Sequence, residues 1–135
     1  MPPTLLDTDI LSLLMRSDTP VLERAKTYLS SHSRLSISII TRYEILRGLM
    51  AKNAAAQLRQ FEVLCASLEV LPLSDAVVCR AATIYAALHQ GGQLIGDADI
   101  LIAATSLENG WALASNNGRH LSRIAGLNVN NWHAP

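Results

Sequence analysis

Three apolar stretches of this chain each carry acidic residues in their interior. The stretches are TLLDTDILSLLM (4–15) with Asp7 and Asp9, ISIITRYEILRGLM (37–50) with Glu44, and LIGDADILIAATSL (94–107) with Asp97 and Asp99. An ionised carboxylate in apolar surroundings is costly unless a counter-charge compensates it. Because the three stretches lie far apart in the sequence, we expect the fold to bring their carboxylates together. Oxygen ligands of this kind favour Mg²⁺ or Mn²⁺ over Zn²⁺ as the compensating cation.

The composition limits the class of protein. A length of 135 residues, half of them hydrophobic, predicts one folded domain over 1–135. The net charge of zero argues against a broad basic surface for nucleic acid, although a local basic rim is compatible with it. Cys65 and Cys79 lack metal-type spacing and indicate a reducing compartment. We expect a cytoplasmic protein, since we find no signal peptide and no apolar run of membrane-spanning length.

Strand-like and helix-like segments alternate along the chain. Strands are predicted at 4–6, 34–39, 69–71, 111–114 and 127–129, and helices at 9–15, 19–30, 41–52, 54–68, 74–90, 99–109 and 119–124. This alternation predicts an α/β fold with a central, mostly parallel β-sheet flanked by helices, a three-layer α/β/α sandwich. Open parallel sheets build their sites beyond the carboxyl ends of their strands. Asp7, Glu44, Asp97 and Asp99 all fall near such ends in this layout.

Several of these acids also have a purely structural interpretation. Asp9 and Asp97 are typical helix N-caps, and Thr41-Arg42-Tyr43-Glu44 has the T-x-x-E form of a capping box. Asn116-Asn117-Gly118 is a turn signal by itself. The histidines suit solvated positions, but His120 lies close in sequence to the two asparagines.

The acidic motifs, in their order and spacing, resemble those of PIN-domain ribonucleases. LLDTDILS (5–12), ISIITRYEILRG (37–48), LIGDADILIAA (94–104) and ASNNGRHLSRIAGLNVNNW (114–132) carry the resemblance, which covers Leu5 to Trp132. It extends in particular to the VapC toxins of bacterial type II toxin–antitoxin modules. The resemblance implies a PIN domain that cleaves RNA, transfer or ribosomal RNA in relatives, with Mg²⁺ as cofactor and Mn²⁺ as its substitute.

The resemblance also implies roles for particular residues. Asp7, Glu44 and Asp99 match the first three family acids. Asp7 and Asp99 would be the principal metal ligands, and Glu44 would bind through water or position the attacking water. The fourth acidic position falls on Ser115, Asn116 and Asn117, where Asn117 would be an outer donor. Asp97 is left as either a further ligand or a helix cap.

The resemblance further implies partners. A VapC-type chain has a cognate VapB-like antitoxin whose tail fills a groove near the site, and it forms a homodimer. The apolar helical surfaces of 9–29 and 41–65 are the candidates for that groove, unless they are ordinary core.

Two other classes remain as alternatives. Asp7-Thr8-Asp9 has the D-x-D form of haloacid dehalogenase phosphatases, but the chain is short and Lys26 and Lys52 lie in poor contexts for the lysine that class requires. A non-catalytic PIN module for binding RNA or protein is the second alternative, supported by the missing fourth acid.

Overall fold

The computed structural model describes residues 1–134 and has the alternating order that the sequence predicts. The strands are β1 (Thr4–Leu6), β2 (Ser36–Ser38), β3 (Glu69–Leu71), β4 (Ala112–Ala114) and β5 (Val129–Asn130). The helices are α1 (Thr8–Met15), α2 (Thr19–Leu29), α3 (Ile39–Ala51), α4 (Ala55–Ser67), α5 (Asp75–Gln90), α6 (Asp97–Glu108) and α7 (Gly118–Leu121). No helix among the described residues is long and apolar enough to cross a membrane.

The five strands form one sheet in the order β3-β2-β1-β4-β5, and every neighbouring pair is parallel. The predicted α/β class with a mostly parallel sheet is therefore confirmed. The chain builds β2 and β3 on one side of β1 and then crosses to place β4 on the other side. The carboxyl edge between β1 and β4 is thus a topological switch point, where such sheets leave a crevice.

Consecutive residues of β1 point to opposite faces of the sheet, and each face has its own core. Leu6 packs with residues of α1 to α4 and with Trp132, whereas Leu5 packs with residues of α5, α6 and α7. Leu113 of β4 joins Leu5, and Ala114 joins Leu6. The helices therefore cover the sheet on both sides, which is the predicted three-layer arrangement and explains why β1, β2 and β4 are buried at every residue.

The differences from the predicted elements lie at their ends. β2 is shorter than 34–39 because its last residue, Ser38, also caps α3, and α6 begins at Asp97 rather than at residue 99. α7 ends at Leu121, and the last strand is Val129–Asn130 rather than 127–129. Strand limits here are set by pairing with the neighbouring strand, since β5 pairs only through Val129 and Asn130.

Candidate active site

The end of β1 and the end of β4 lie side by side at the switch point. The backbone N–H of Asp7 donates to the carbonyl oxygen of Ala114 at 2.9 Å, so the ladder continues one residue beyond both strands. Asp7 and Ser115 are consequently neighbours at the carboxyl edge, although 108 positions separate them in sequence.

Asp7 is the most buried acid of this edge, with 5% of its surface exposed. Its Oδ1 accepts from the backbone N–H of Thr8 at 2.8 Å, and its Oδ2 accepts from the hydroxyl of Ser115 at 2.7 Å. Burial, followed by the charge of Asp9, raises the pKa of Asp7 to about 7, although both hydrogen bonds oppose the rise. Asp7 therefore sits near the midpoint of its titration at neutral pH.

Asp9 belongs to the same site. Asp7, not Asp9, is the N-cap of α1, so the predicted cap at Asp9 is wrong. The Oδ2 atom of Asp9 accepts from the backbone N–H of Asn116 at 2.9 Å. Its Oδ1 atom is buried and has no hydrogen-bond partner. Burial raises the pKa of Asp9, with the hydrogen bond from Asn116 the leading opposing effect.

Glu44 reaches the site from α3. Its Oε1 accepts from the hydroxyl of Thr8 at 2.6 Å, and its Oε2 lies 3.7 Å from the guanidinium of Arg47. The Thr8 hydroxyl is also 3.0 Å from that of Thr41. Because one hydroxyl has one proton, Thr8 donates to the carboxylate and Thr41 donates to Thr8. This chain of hydroxyls fixes Glu44 against the first turn of α1.

The capping box that Thr41–Glu44 could have formed is absent. Ser38 is the N-cap of α3, and its Oγ accepts from the backbone N–H groups of Ile40 and Thr41 at 3.1 Å each. Because α3 begins two residues before Thr41, Thr41 is not its N-cap and Glu44 is not part of a capping box. The Glu44 carboxylate instead accepts a hydrogen bond from Thr8.

The two acids of α6 differ. Asp99 is half-buried, and its pKa is raised by burial and then by the charges of Glu44 and Asp9, while His120 lowers it. Asp99 therefore lies within electrostatic reach of the other acids. Asp97 is the first residue of α6 and is exposed. The N-cap is Gly96, which makes no side-chain cap bond, so the predicted cap at Asp97 is wrong.

The segment after β4 contributes mainly backbone donors. The N–H of Asn116 binds Asp9, and the N–H of Asn117 donates to the Ser115 hydroxyl at 2.9 Å. The side-chain oxygen of Asn116 accepts from the amide of Asn131 at 2.8 Å. Asn117 is half-buried and is the N-cap residue of α7 without a side-chain cap bond, so its amide is not committed to the cap.

Two observations test whether these residues fit a cation. The unpartnered Oδ1 of Asp9, and the pKa values of Asp7 and Asp99 raised by burial and by neighbouring acids, indicate negative charge without enough compensation. No three His, Cys, Asp or Glu side chains within residues 1–134 are arranged closely enough to hold a metal ion. Carboxylates repel one another when no cation is bound, so such a spacing is compatible with a site that closes around a cation. The donor set fits a hard divalent cation reached directly or through water.

A groove of about 620 Å³ runs from the site along α1, α3 and α4. Thr8 and Glu44 line its end at the site. The rest of the lining mixes apolar residues with polar ones, and comprises Leu14, Met15, Ile45, Gly48, Leu49 and Leu64 together with Ser12, Arg16, Lys52, Gln57 and Gln60. Of the two surfaces predicted for such a groove, 41–65 contributes as expected, whereas the contribution of 9–29 stops at Arg16 and α2 takes no part.

Comparison with known proteins assigns the family. The PIN domain family model matches residues 4–127. Ribonuclease VapC2 of Haemophilus influenzae is 32% identical over 132 residues, covering 95% of this chain and 96% of that protein. The tRNA(fMet)-specific endonuclease VapC of Salmonella typhimurium is 31% identical over 103 residues, covering 74% of this chain and 76% of that protein.

A solved structure agrees with this match. The crystal structure of DNA-bound VapBC from Salmonella typhimurium contains a chain that is 28% identical and superposes with a TM-score of 0.88, over 98% of this chain and 99% of that one. The match places the D-T-D segment in a PIN fold rather than in a haloacid dehalogenase phosphatase. This chain belongs to the PIN-domain family, among its VapC-type members.

Proposed function

We propose that this protein is a Mg²⁺-dependent endoribonuclease and the toxin of a toxin–antitoxin pair. The observation that carries the proposal is that carboxylates from α1, α3 and α6 lie within electrostatic reach of one another, beside an unpartnered carboxylate oxygen. Carboxylates alone repel a phosphodiester. With a divalent cation the same site attracts one, because the field changes sign.

Asp7 and Asp99 are the principal ligands in this proposal, with Mn²⁺ able to replace Mg²⁺. A bound cation would supply positive charge against the developing charge on the phosphate and would acidify the attacking water. Thr8 holds Glu44 at a fixed position, from which its carboxylate would orient that water. Asn117 offers an uncommitted amide as an outer donor. Asp7 must lose its proton to bind the cation, so metal binding and protonation of Asp7 compete near neutral pH.

The substrate in this proposal is a single-stranded or looped region of a transfer or ribosomal RNA. Unstacked nucleotides can be splayed into a crevice beside loops, whereas a stacked duplex cannot. Arg119 follows the site segment in α7 and is exposed, so it is the candidate contact for a phosphate, whereas Arg123 donates to the carbonyl oxygens of Gln93 and Leu94. The Salmonella relative whose name specifies a transfer RNA makes that class the first to test.

The decisive experiment combines purified protein and cells. Purified protein should cleave RNA with Mg²⁺ or Mn²⁺, and EDTA should abolish cleavage. Sequencing of 5′ ends after induced expression, beside an Asp7→Asn control, should give one set of cuts that the control lacks. Full cleavage in EDTA would contradict the metal mechanism. RNA binding without any cleavage would support the non-catalytic PIN module instead.

We further propose that the groove along α1, α3 and α4 receives the tail of a VapB-like antitoxin. Its apolar lining suits the apolar face of a short helix, and its end at Glu44 suits an arginine of the tail, which would take the place of the cation's charge. Occupation of the groove would thus also close the crevice to RNA. A homodimer remains a prediction, to be tested by analytical ultracentrifugation.

Gly48 allows a direct test of the groove. It lines the groove, and a Cβ added to it meets no atom within 4 Å, so Gly48→Trp should fill the space without disturbing α3. The variant should stay toxic but no longer be neutralised by the co-expressed antitoxin. Val63→Trp is the matched control, since Val63 lies on α4, is 75% exposed and does not line the groove. Equal neutralisation of both variants would place the antitoxin elsewhere.

A further inference from the structure

Asp9 has two carboxylate oxygens in different situations. Oδ2 accepts from the backbone N–H of Asn116 at 2.9 Å, which fixes the side chain toward the end of β4. Oδ1 is buried and unpartnered, and it is the one buried side-chain oxygen or nitrogen in this condition among residues 1–134. A buried carboxylate oxygen without a donor is costly, so this position calls for a bound positive charge.

The surroundings of Asp9 contain the other acids of the crevice. Its charge raises the pKa of Asp7, where it is the leading charge effect, and it also raises the pKa of Asp99. Geometry agrees, since Asp7 and Asp9 hydrogen-bond to the consecutive residues Ser115 and Asn116. Asp7, the N-cap of α1, and Asp9, in its first turn, therefore lie side by side at the end of β4, and Asp99, in the first turn of α6, lies within electrostatic reach of Asp9.

The other candidates for an additional ligand already have hydrogen-bond partners or are exposed. The Ser115 hydroxyl is engaged with Asp7 and the Asn117 backbone, and the Asn116 amide oxygen is engaged with Asn131. Asp97 is exposed at the start of α6. The segment after β4 carries no acid, but its backbone holds the Asp9 carboxylate in place.

We propose that Asp9 is a ligand of the divalent cation and supplies the carboxylate that the segment 115–117 lacks. This inference rests on the proposed metal-dependent function and adds a residue to it. The site would then have four carboxylates, those of Asp7, Asp9, Glu44 and Asp99. Asn116 would act as a positioning residue through its backbone, since its N–H orients the ligand.

The test is Mn²⁺ binding, measured by isothermal titration calorimetry on the full chain. Asp9→Asn keeps the size of the side chain and an oxygen that can accept from Asn116, but removes the charge. Asp9→Ser is a second, smaller variant without charge. Asp97→Asn is the matched control, since it removes the same charge from an exposed first-turn position. Melting temperatures in EDTA show that each variant is folded.

Both Asp9 variants should bind Mn²⁺ more weakly by on the order of tenfold or more, since affinity follows the number of charged ligands. Asp97→Asn should bind like the unmodified protein. Unchanged affinity in folded Asp9→Asn and Asp9→Ser would overturn the inference while leaving the nuclease proposal intact. Conversely, a protein that cuts no RNA, yet binds Mn²⁺ and loses affinity through Asp9, would overturn the nuclease and keep the ligand. A protein that neither binds Mn²⁺ nor cuts RNA would overturn both.

Discussion

The chain contains the pattern D-x-D twice at a helix start, and the structure uses the two copies differently. In Asp7-Thr8-Asp9 the first acid is the N-cap, in extended conformation with φ −70° and ψ 162°, and α1 begins at Thr8. In Asp97-Ala98-Asp99 the cap is Gly96, and both acids are already helical. Counted from the helix cap, the second D-x-D segment therefore lies one position further into its helix than the first.

This shift in register decides which carboxylates reach the crevice. Two positions within a helix are about 200° apart, so two helical acids at that spacing cannot face the same way. Asp97 is accordingly exposed while Asp99 is half-buried. Asp7 escapes this restriction because it is not helical, and both Asp7 and Asp9 hydrogen-bond to the segment after β4. Whether one of these acids lies at the site or on the surface therefore depends on its position relative to the helix cap, and not on its residue type.

The largest expected effect is at Asp7, the most buried acid of the two D-x-D segments. Asp7→Asn removes a principal ligand charge but keeps an acceptor for the hydroxyl of Ser115. We expect complete loss of RNA cleavage and of toxicity. The metal-free protein should be no less stable at pH 8, because a buried carboxylate beside Asp9 is lost. Cleavage by a folded Asp7→Asn protein, measured on labelled RNA, would show that the first D-x-D is structural only.

The second prediction compares the two acids of α6 directly. Asp99→Asn should abolish or nearly abolish cleavage and weaken Mn²⁺ binding, since Asp99 lies within reach of Glu44 and Asp9. Asp97→Asn should leave both properties close to those of the unmodified protein, since Asp97 is exposed. Single-turnover cleavage rates for the two variants check this. The reverse result would mean that α6 is rotated in the active protein, and loss in both would add Asp97 to the site.

The sequence predicted the placement of the principal acids but not the details of their support. Asp7, Glu44 and Asp99 were expected at one edge because parallel strands end there, a rule that depends only on the order of elements. The hydroxyl chain of Thr41 and Thr8 to Glu44 joins residues 33 and 36 positions apart, and no local pattern reports it. The donors from Asn116 and Asn117 are backbone groups, which residue type does not reveal.

The helix starts likewise divide into those set by the local sequence and those set by tertiary structure. Ser74 caps α5 and Gly91 ends it, at the limits predicted for the helix at 74–90, because cap and glycine signals act within one turn. The local sequence also allowed caps at Asp9, Thr41 and Asp97, but the actual caps lie earlier, at Asp7, Ser38 and Gly96. Asp7 and Ser38 directly follow or end strands, so pairing in the sheet, rather than local preference, decides where α1 and α3 begin. For this reason local sequence alone favoured a capping role for Asp9.

The third prediction concerns pH and applies to the metal-free protein in EDTA. The pKa of Asp7 is about 7 in the folded protein against 3.8 as the ordinary value. Between these values the folded state holds a proton that the unfolded state has lost, so stability should fall as pH rises and level off above pH 7. The fall should be on the order of a few kcal/mol. Urea unfolding from pH 4 to 8 measures it. Asp7→Asn should flatten most of the slope, whereas Asp97→Asn should not.

The smallest expected effect tests the caps themselves, by comparing the starts of the consecutive helices α5 and α6. Ser74 Oγ accepts from the backbone N–H of Val77 at 3.2 Å, whereas Asp97 follows a glycine cap and makes no cap bond. Ser74→Ala should therefore lower the free energy of unfolding by about 1 kcal/mol, the usual value of a lost cap. Asp97→Ala should lose only a favourable interaction with the helix dipole, a few tenths of a kcal/mol that high salt removes. Urea unfolding at low and high salt distinguishes the two. A loss at Asp97 as large as that at Ser74, and insensitive to salt, would mean that Asp97 caps α6, and the difference in register between the two D-x-D segments would then disappear.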